Sequence, residues 1–214
     1  MISIEALVVG PFQSNCYIAS CTATHDAMIV DAGDEDKRIC QVVGRLGVNV
    51  VAIVCTHGHL DHVSALPGVR AALGAPVFMH RAEIPVYEMV DAQAASFGLP
   101  SPGTVPIDRV LDDGDSFALG KLRVTVRWTP GHSPGGICLL LAEPTPPVAF
   151  VGDVIFRGSI GRTDLPGSDA GAMRTSLRGL LSLPGDTVVY PGHGTATTME
   201  TEKRTNPFLL SLAG

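Results

Sequence analysis

Three histidines and an aspartate lie within the segment CTHGHLDH, residues 55–62. Imidazole nitrogens and carboxylate oxygens are the ligands that zinc and similar borderline metals take up in proteins. His57 and His59 directly follow the apolar run VNVVAIVC, so a turn at the end of a strand brings both imidazoles to one point. Asp61 and His62 follow where the chain enters a helix, and they project the other way. This pattern predicts one turn that supplies ligands to two metal positions.

The elements around this cluster alternate between strands and helices, which predicts an α/β or layered α+β fold. AMIVDAG reads as a strand that ends at Asp31, and VNVVAIVCT reads as a parallel strand because it is apolar throughout. The second half repeats the order, since VAFVGDV ends at Asp153 and TVVYPGHG ends at His193. Two similar halves that face each other would place all of these polar residues in one site.

The segment 81–115 does not show the regular alternation of strands and helices. It is rich in loop residues, as in LPSPGTVP, with some helix expected near residues 83–95. Long irregular stretches inside a domain often bind ligands or act as lids, so we predict a role of this kind.

The composition argues against several classes of function. The net charge is −6 and no Lys/Arg cluster occurs, which argues against a nucleic-acid partner. No apolar run approaches the ~18 residues of a membrane span, and the start MISIEALVVG lacks the basic region of a secretory signal. The five cysteines form no CxxC pair and read as reduced thiols. A cytoplasmic protein without a membrane partner is predicted.

THGHLDH resembles the T-H-x-H-x-D-H signature of the metallo-β-lactamase superfamily, and later motifs follow in the order of that family. They are GHS with His132, GD with Asp153 and PGH with His193. FRGSIGRTDLPG, residues 156–167, and the closing KRTNPFL are similar to the glyoxalase II-like branch. The resemblance therefore covers nearly the whole chain.

The resemblance implies an αββα sandwich, in which two mixed β-sheets are flanked by helices and the halves are related by a pseudo-two-fold axis. It also implies two divalent metal ions, with zinc expected first and iron or manganese as alternatives. The implied ligands are His57, His59 and His132 for the first ion, Asp61, His62 and His193 for the second, and Asp153 as a bridge between them.

Three aspartates are candidate catalytic residues: Asp31, Asp61 and Asp153. Asp31 matches the aspartate of the family that orients a ligating imidazole, although a simple turn residue explains its position nearly as well.

The activity implied is hydrolysis of a small-molecule thioester such as S-lactoylglutathione. Two cations would lower the pKa of water toward ~7, and a hydroxide held between them would attack the carbonyl carbon. A thiolate suits such a site as leaving group because it is a good zinc ligand. Persulfide oxidation on a single iron held by His57, His132 and Asp153 is an alternative on the same ligands, and so is lactone hydrolysis.

The chain is expected to form one domain, residues 1–214, and to be a monomer or small homo-oligomer. The chain ends 21 positions after His193. The C-terminal helical domain that supplies much of the glutathione contact in full-length glyoxalase II is therefore predicted to be absent. Arg157, Arg162 and the segment 81–115 are the candidates for binding substrate, while ordinary salt bridging is the alternative role for both arginines.

Overall fold

Two six-stranded β-sheets form the centre of the computed structural model, which describes residues 1–212. The strands of the first sheet are β1 Ile2–Val9, β2 Ser14–Cys21, β3 Asp26–Val30, β4 Asn49–Val54, β5 Val77–His80 and β6 Arg109–Leu111, and they are arranged in that order. The strands of the second sheet are β7 Ser116–Leu119, β8 Leu122–Trp128, β9 Ile137–Leu141, β10 Val148–Gly152, β13 Val188–Pro191 and β14 Thr197–Thr198. Between β10 and β13 the chain forms a small hairpin, β11 Ile155–Phe156 and β12 Ser159–Ile160. The order in the second sheet is β14-β13-β10-β9-β8-β7.

The helices pack in two groups, one on the outer face of each sheet. The first group comprises α1 Asp36–Leu46, α2 Leu60–Val63, α3 Leu66–Leu73, α4 Ile84–Glu88 and α5 Val90–Ser96. The second comprises α6 Ala170–Leu180, α7 Met199–Thr205 and α8 Pro207–Leu210. α1 shows why these helices pack as they do, since Ile39, Val42 and Val43 form one buried apolar stripe and Gly47 ends the helix with φ 63°.

Alternation along the strands separates the helix-facing cores from the core between the sheets. In β2, Ile18 packs toward the helices, whereas Tyr17 and Ala19 pack against the second sheet. Between the sheets, Met28 and Val30 of β3 belong to the same buried cluster as residues of β8 and β9. The layers are therefore helix, sheet, sheet and helix, and the predicted αββα sandwich is confirmed.

Each sheet contains a pair of parallel strands that ends at the same edge of the molecule. β3 runs parallel to β4 in the first sheet, and β10 runs parallel to β13 in the second. Asp31 directly follows β3 and Asp153 directly follows β10, while His57 and His193 follow their parallel neighbours. Because parallel strands present their carboxyl ends at one edge, the predicted repeat of the two halves brings these residues together.

The segment 81–115 is more helical and more buried than its composition predicts. A 3-10 turn, Arg81–Glu83, leads into α4 and α5, and β6 then joins the first sheet parallel to β5. Tyr87, Val90 and Ala94 are buried in the helix-facing core. Much of this segment is therefore part of the outer helical layer. Among residues 1–212, no helix is long and apolar enough to cross a membrane.

Candidate metal centre

The first histidine trio comprises His57, His59 and His132. His57 and His59 lie in the turn after β4, and His132 lies in the turn between β8 and β9. One ring nitrogen from each lies within 4.8 Å of the other two. Nδ1 of His59 lies 2.9 Å from Nε2 of His132. Residues separated by 73 positions in sequence thus converge, as the resemblance implies.

A second trio, Asp61, His62 and His193, lies beside the first. Asp61 and His62 belong to the short helix α2, and His193 follows β13 of the other sheet. Oδ2 of Asp61 lies 3.1 Å from Nε2 of His193 and 3.3 Å from Nε2 of His62. These three residues also offer ligand atoms within 4.8 Å of one another.

Asp153 lies between the two trios and contacts members of both. Its Oδ1 is 3.5 Å from Nε2 of His62, and its Oδ2 is 3.5 Å from Nε2 of His193 and 3.6 Å from Nε2 of His132. A Cβ atom on Gly192 would lie 2.1 Å from Oδ1 of Asp153, so the turn before His193 needs glycine at that position. The carboxylate therefore lies against members of both trios.

Three buried polar atoms of this cluster have no hydrogen-bond partner among the described residues: Nε2 of His57, Nε2 of His62 and Oδ1 of Asp153. Leaving a buried polar group unpaired costs about 1–3 kcal/mol each. Cations coordinated at these atoms would remove that cost, and a set of imidazoles and carboxylates suits zinc, iron or manganese. The residues present therefore suit a dinuclear metal site.

Asp31 and Thr56 orient two of the histidines from behind. The carboxylate of Asp31 accepts hydrogen bonds from the backbone N–H and the hydroxyl of Thr56, both at 2.7 Å, and lies 3.0 Å from Nδ1 of His62. Because the Thr56 hydroxyl donates to Asp31, its oxygen is left to accept from Nδ1 of His57, 3.0 Å away. Both imidazoles therefore direct Nε2 into the site.

Asp31 also forms a metal-capable cluster with His57 and His62 by distance alone. Both of its carboxylate oxygens are already engaged by hydrogen bonds, so its chemistry fits orientation of His62 better than direct coordination. Its φ of 56° is a strained conformation for a residue with a side chain, at a cost of about 1–3 kcal/mol. Strain of this kind is retained where the surrounding structure holds a functional geometry, and here Asp31 is buried beneath His62.

The backbone orients His132 in a similar way. Nδ1 of His132 lies 2.9 Å from the carbonyl oxygen of Arg162, which can only accept a hydrogen bond. Nδ1 therefore carries the proton, and the lone pair of Nε2 faces Asp153 and His59. The guanidinium of Arg162 points elsewhere and forms a two-contact salt bridge with Asp164.

The two predicted arginines are not equivalent. The side chain of Arg162 is 62% exposed and paired with Asp164, which matches the structural alternative. Arg157 is exposed at the turn of the β11–β12 hairpin and makes no salt bridge with any residue in the range 1–212. No described contact places either guanidinium against the two trios.

Burial and neighbouring charges set different protonation states in the two trios. Burial, followed by the other imidazoles, lowers the pKa of His57 well below its usual range and lowers that of His59 to about 3. These rings are therefore neutral at physiological pH, which is the form that binds metals.

In the second trio the carboxylates act in the opposite direction. Burial opposes protonation of His62, but Asp61, Asp153 and the hydrogen bond to Asp31 raise its pKa well above the usual value. Burial would raise the pKa of Asp61, yet His62 and His193 hold it below the usual range. In the metal-free chain this trio therefore binds protons that a metal must displace.

Residues at the start of β2 hold the turn that carries His193, and sequence patterns gave no signal for them. Asn15 donates from its backbone N–H to the carbonyl of Gly192 at 2.7 Å, and from its side chain to the carbonyls of Pro191 at 2.9 Å and Gly194 at 2.8 Å. The Tyr17 hydroxyl donates to the carbonyl of Pro191 at 2.6 Å. The first sheet thus positions a ligand that the second sheet supplies.

A small open cavity adjoins Asp61 and has a partly apolar wall. Phe12, Leu60 and Leu99 are among its lining residues. Phe97, which is 62% exposed, packs edge-on against Phe12 with 5.0 Å between the ring centroids. Exposed aromatic rings beside a metal-capable cluster offer a surface for an apolar part of a small molecule.

Comparisons with known proteins identify the family of this chain. Residues 9–193 match the metallo-beta-lactamase superfamily. The chain is 37% identical to hydroxyacylglutathione hydrolase GloC of Haemophilus influenzae, over 98% of this chain and 99% of that protein. Among solved structures it is similar to TTHA1623 in a di-iron-bound form, with 39% identity, TM-score 0.87, and coverage of 96% of this chain and 100% of that one.

A further solved structure, the BLEG-1 B3 metallo-beta-lactamase, shares 33% identity with a TM-score of 0.89 and covers 97% of this chain and 99% of that one. These relatives differ in the activity or metal that their names state, but they share length and fold. Given the match over residues 9–193 and the identity along nearly the full chain, this protein belongs to the metallo-beta-lactamase superfamily, a superfamily of metallo-hydrolases.

Proposed function

We propose that the chain hydrolyses a small-molecule thioester, S-lactoylglutathione or a related acyl thioester. The observation that carries the proposal is Asp153 between two metal-capable trios, in a chain 37% identical to a hydroxyacylglutathione hydrolase. The ligands in this proposal are His57, His59 and His132 for one divalent cation, Asp61, His62 and His193 for the other, and Asp153 for both.

When bound, two divalent cations would polarise the carbonyl oxygen of the substrate and lower the pKa of water toward ~7. The residues of the chain must hold the attacking water and keep the ligands oriented. Asp61 stays ionised because its pKa lies below the usual range, so it can accept a hydrogen bond from the water that attacks. Asp31 keeps Nε2 of His62 directed into the site and thereby preserves the spacing between the trios.

The cavity beside Asp61 is the proposed place for the acyl half of the substrate, with Phe12 and Leu60 as apolar contacts. Arg157 is the better of the two arginine candidates for a substrate carboxylate, because Arg162 is already neutralised by Asp164. Zinc suits the ligand set, and the di-iron-bound relative makes iron an equal subject for testing.

Three alternative activities would use the same residues. Persulfide oxidation on a single iron could use His57, His132 and Asp153 as a two-histidine, one-carboxylate set. β-Lactam hydrolysis is favoured only by the similarity to a B3 metallo-beta-lactamase. Lactone hydrolysis on the same centre is also an alternative.

The test combines metal analysis with assays on defined substrates. Protein purified without oxygen is analysed for metals and then assayed with S-lactoylglutathione, a lactone, a chromogenic β-lactam and glutathione persulfide under oxygen. We expect about two metal ions per chain and thioester hydrolysis that disappears when the metals are stripped. Oxygen uptake with persulfide and no thioester turnover would replace the proposal, as would a dominant β-lactam or lactone activity.

A cytoplasmic location, a single domain over residues 1–214, the absence of nucleic-acid and membrane partners, and a monomer or small homo-oligomer stay predictions from sequence.

A further inference from the structure

A buried carboxylate outside the two trios connects the loops that carry the first of them. Glu83 ends the 3-10 turn after β5 and is fully buried. Its Oε1 accepts the backbone N–H of Gly58 at 2.9 Å, and its Oε2 accepts the backbone N–H of Gly135 at 2.6 Å. Gly58 separates His57 from His59, and Gly135 lies three positions after His132. One side chain therefore holds both halves of the first trio.

The two loops approach this segment so closely that only glycine fits at either contact. A Cβ atom on Gly135 would lie 2.3 Å from the backbone nitrogen of Glu83. A Cβ atom on Gly58 would lie 2.8 Å from the backbone nitrogen of Tyr87. The hydrogen bonds of Glu83 are thus part of close backbone packing between the outer helical layer and the ligand loops.

Gln93 of α5 holds the same loop from another side. Its side-chain oxygen accepts the backbone N–H of Leu60 at 2.9 Å, and its side-chain nitrogen donates to the carbonyls of Val86 at 2.9 Å and Gly58 at 3.3 Å. Together with Glu83, it pairs the peptide groups that flank His59. The segment 81–115, which composition predicts to be a binding or lid segment, therefore supports the ligand loops.

Burial of the Glu83 carboxylate is unfavourable by itself. Burial raises the pKa of Glu83, and the N–H groups of Gly58 and Gly135 only partly offset that effect. Burying a charge is costly before its hydrogen bonds are counted, and well-packed neutral side chains are often as stable or more so. A carboxylate does offer two acceptor oxygens at a fixed spacing, which two converging N–H donors require.

We propose that Glu83 is a positioning residue that preorganises His57, His59 and His132 and so sets the metal affinity of the first position. This inference rests on the proposed metal centre and is independent of the substrate. In the described hydrogen bonds, the side chain of Glu83 contacts none of the seven proposed ligands. It therefore acts through the loops at Gly58 and Gly135.

The decisive variant is Glu83→Gln, which preserves volume but turns one of the two acceptors into a donor that faces a backbone N–H. The matched control is Glu202→Gln. Glu202 is also fully buried, and it accepts hydrogen bonds from the Gly158 N–H at 2.9 Å and the Thr197 hydroxyl at 2.7 Å, away from the first trio. Both substitutions therefore replace a buried, paired carboxylate, but only one touches the loops of the first trio.

Metal-stripped wild type and both variants are titrated with zinc against a competing chelator, and the ring ¹⁵N signals of the histidines assign each binding event. We expect Glu83→Gln to weaken binding at His57, His59 and His132 by about 10–100-fold and to leave the second position within about threefold of wild type. Glu202→Gln should retain wild-type affinity at the first position. Wild-type affinity in Glu83→Gln, or an equal loss in Glu202→Gln, would overturn the inference.

Hydrogen exchange in the unmutated protein gives a second test if Glu83→Gln does not fold. The amides of Gly58 and Gly135 should exchange slowly in the metal-free chain, before any zinc is added. Fast exchange that slows only after zinc binds would overturn the inference, because the loops would then be ordered by the metal. Wild type that binds two zinc ions but hydrolyses no thioester would contradict the proposed function alone, whereas wild type that binds none would contradict both.

Discussion

Oδ2 of Asp31, which directly follows β3, lies 3.0 Å from Nδ1 of His62 in α2, and both side chains are buried. This contact fixes which ring nitrogen of His62 faces Asp61 and Asp153. It also connects the site to a backbone position with φ 56°, where the strain is stabilised by two hydrogen bonds from Thr56. Asp31, held by Thr56, therefore orients a proposed metal ligand without being one of the seven ligands itself.

Asp31→Asn should weaken metal binding at the second trio by about 10–100-fold, because a neutral amide orients and polarises His62 less well. Zinc titration of stripped protein measures the change. Asp26→Asn serves as the control, since Asp26 is partly exposed at the other end of β3 and its carboxylate accepts a hydrogen bond from Asn49. An unchanged zinc affinity in Asp31→Asn would mean that Asp31 is a simple turn residue.

Asp153→Asn should lose metal and, with it, at least about 100-fold of the thioesterase activity while the fold survives. The substitution keeps the volume of a side chain that Gly192 packs against, but it removes the charge that faces His62, His132 and His193. Elemental analysis, circular dichroism and turnover are compared with wild type. Full activity in a metal-depleted sample of this variant would refute the proposed mechanism.

Acid should release metal from the second trio before the first. The pKa of His62 is raised, so a proton competes with the metal there, and affinity rises as pH increases through that raised value. The pKa values of His57 and His59 are lowered, to about 3 for His59, so these rings remain free of protons until much lower pH. Metal retained after dialysis at stepwise lower pH should fall in two stages. Simultaneous loss of both ions would contradict this assignment.

Phe12→Ala and Phe97→Ala should each raise KM for an acyl thioester with an apolar acyl group by about tenfold, or about 1.4 kcal/mol, with kcat little changed. The reason is that the two rings pack on each other beside the cavity at Asp61 and would contact the acyl group rather than the reacting bond. Phe208→Ala is the control, because Phe208 is a comparably exposed aromatic residue on α8. An equal rise in KM for all three variants would mean that the aromatic pair is not part of the substrate site.

The sequence by itself determined the elements of this protein whose signals are local. His57, His59, Asp61 and His62 lie within six positions of one another. The order of the later motifs can likewise be recognised without any geometry. Ile39, Val42, Val43 and Leu46 have the spacing of one helix face in the sequence; the first three are buried in α1, whereas Leu46 is 37% exposed. Apolar periodicity and strand-end position repeat over a few residues and predicted an α/β or layered α+β fold, whereas the αββα layering was implied by the resemblance to the superfamily.

Only the tertiary structure decided which distant groups support the ligands. Glu83 reaches Gly135 across 52 positions, and Asn15 reaches the turn at Pro191 across 176. Arg162 contributes its backbone carbonyl to His132 while its guanidinium pairs with Asp164. A carboxylate, an amide or a backbone carbonyl has the same sequence signature whether it faces water or a buried N–H. Its role depends on the packing of elements that lie far apart along the chain, which no local pattern encodes.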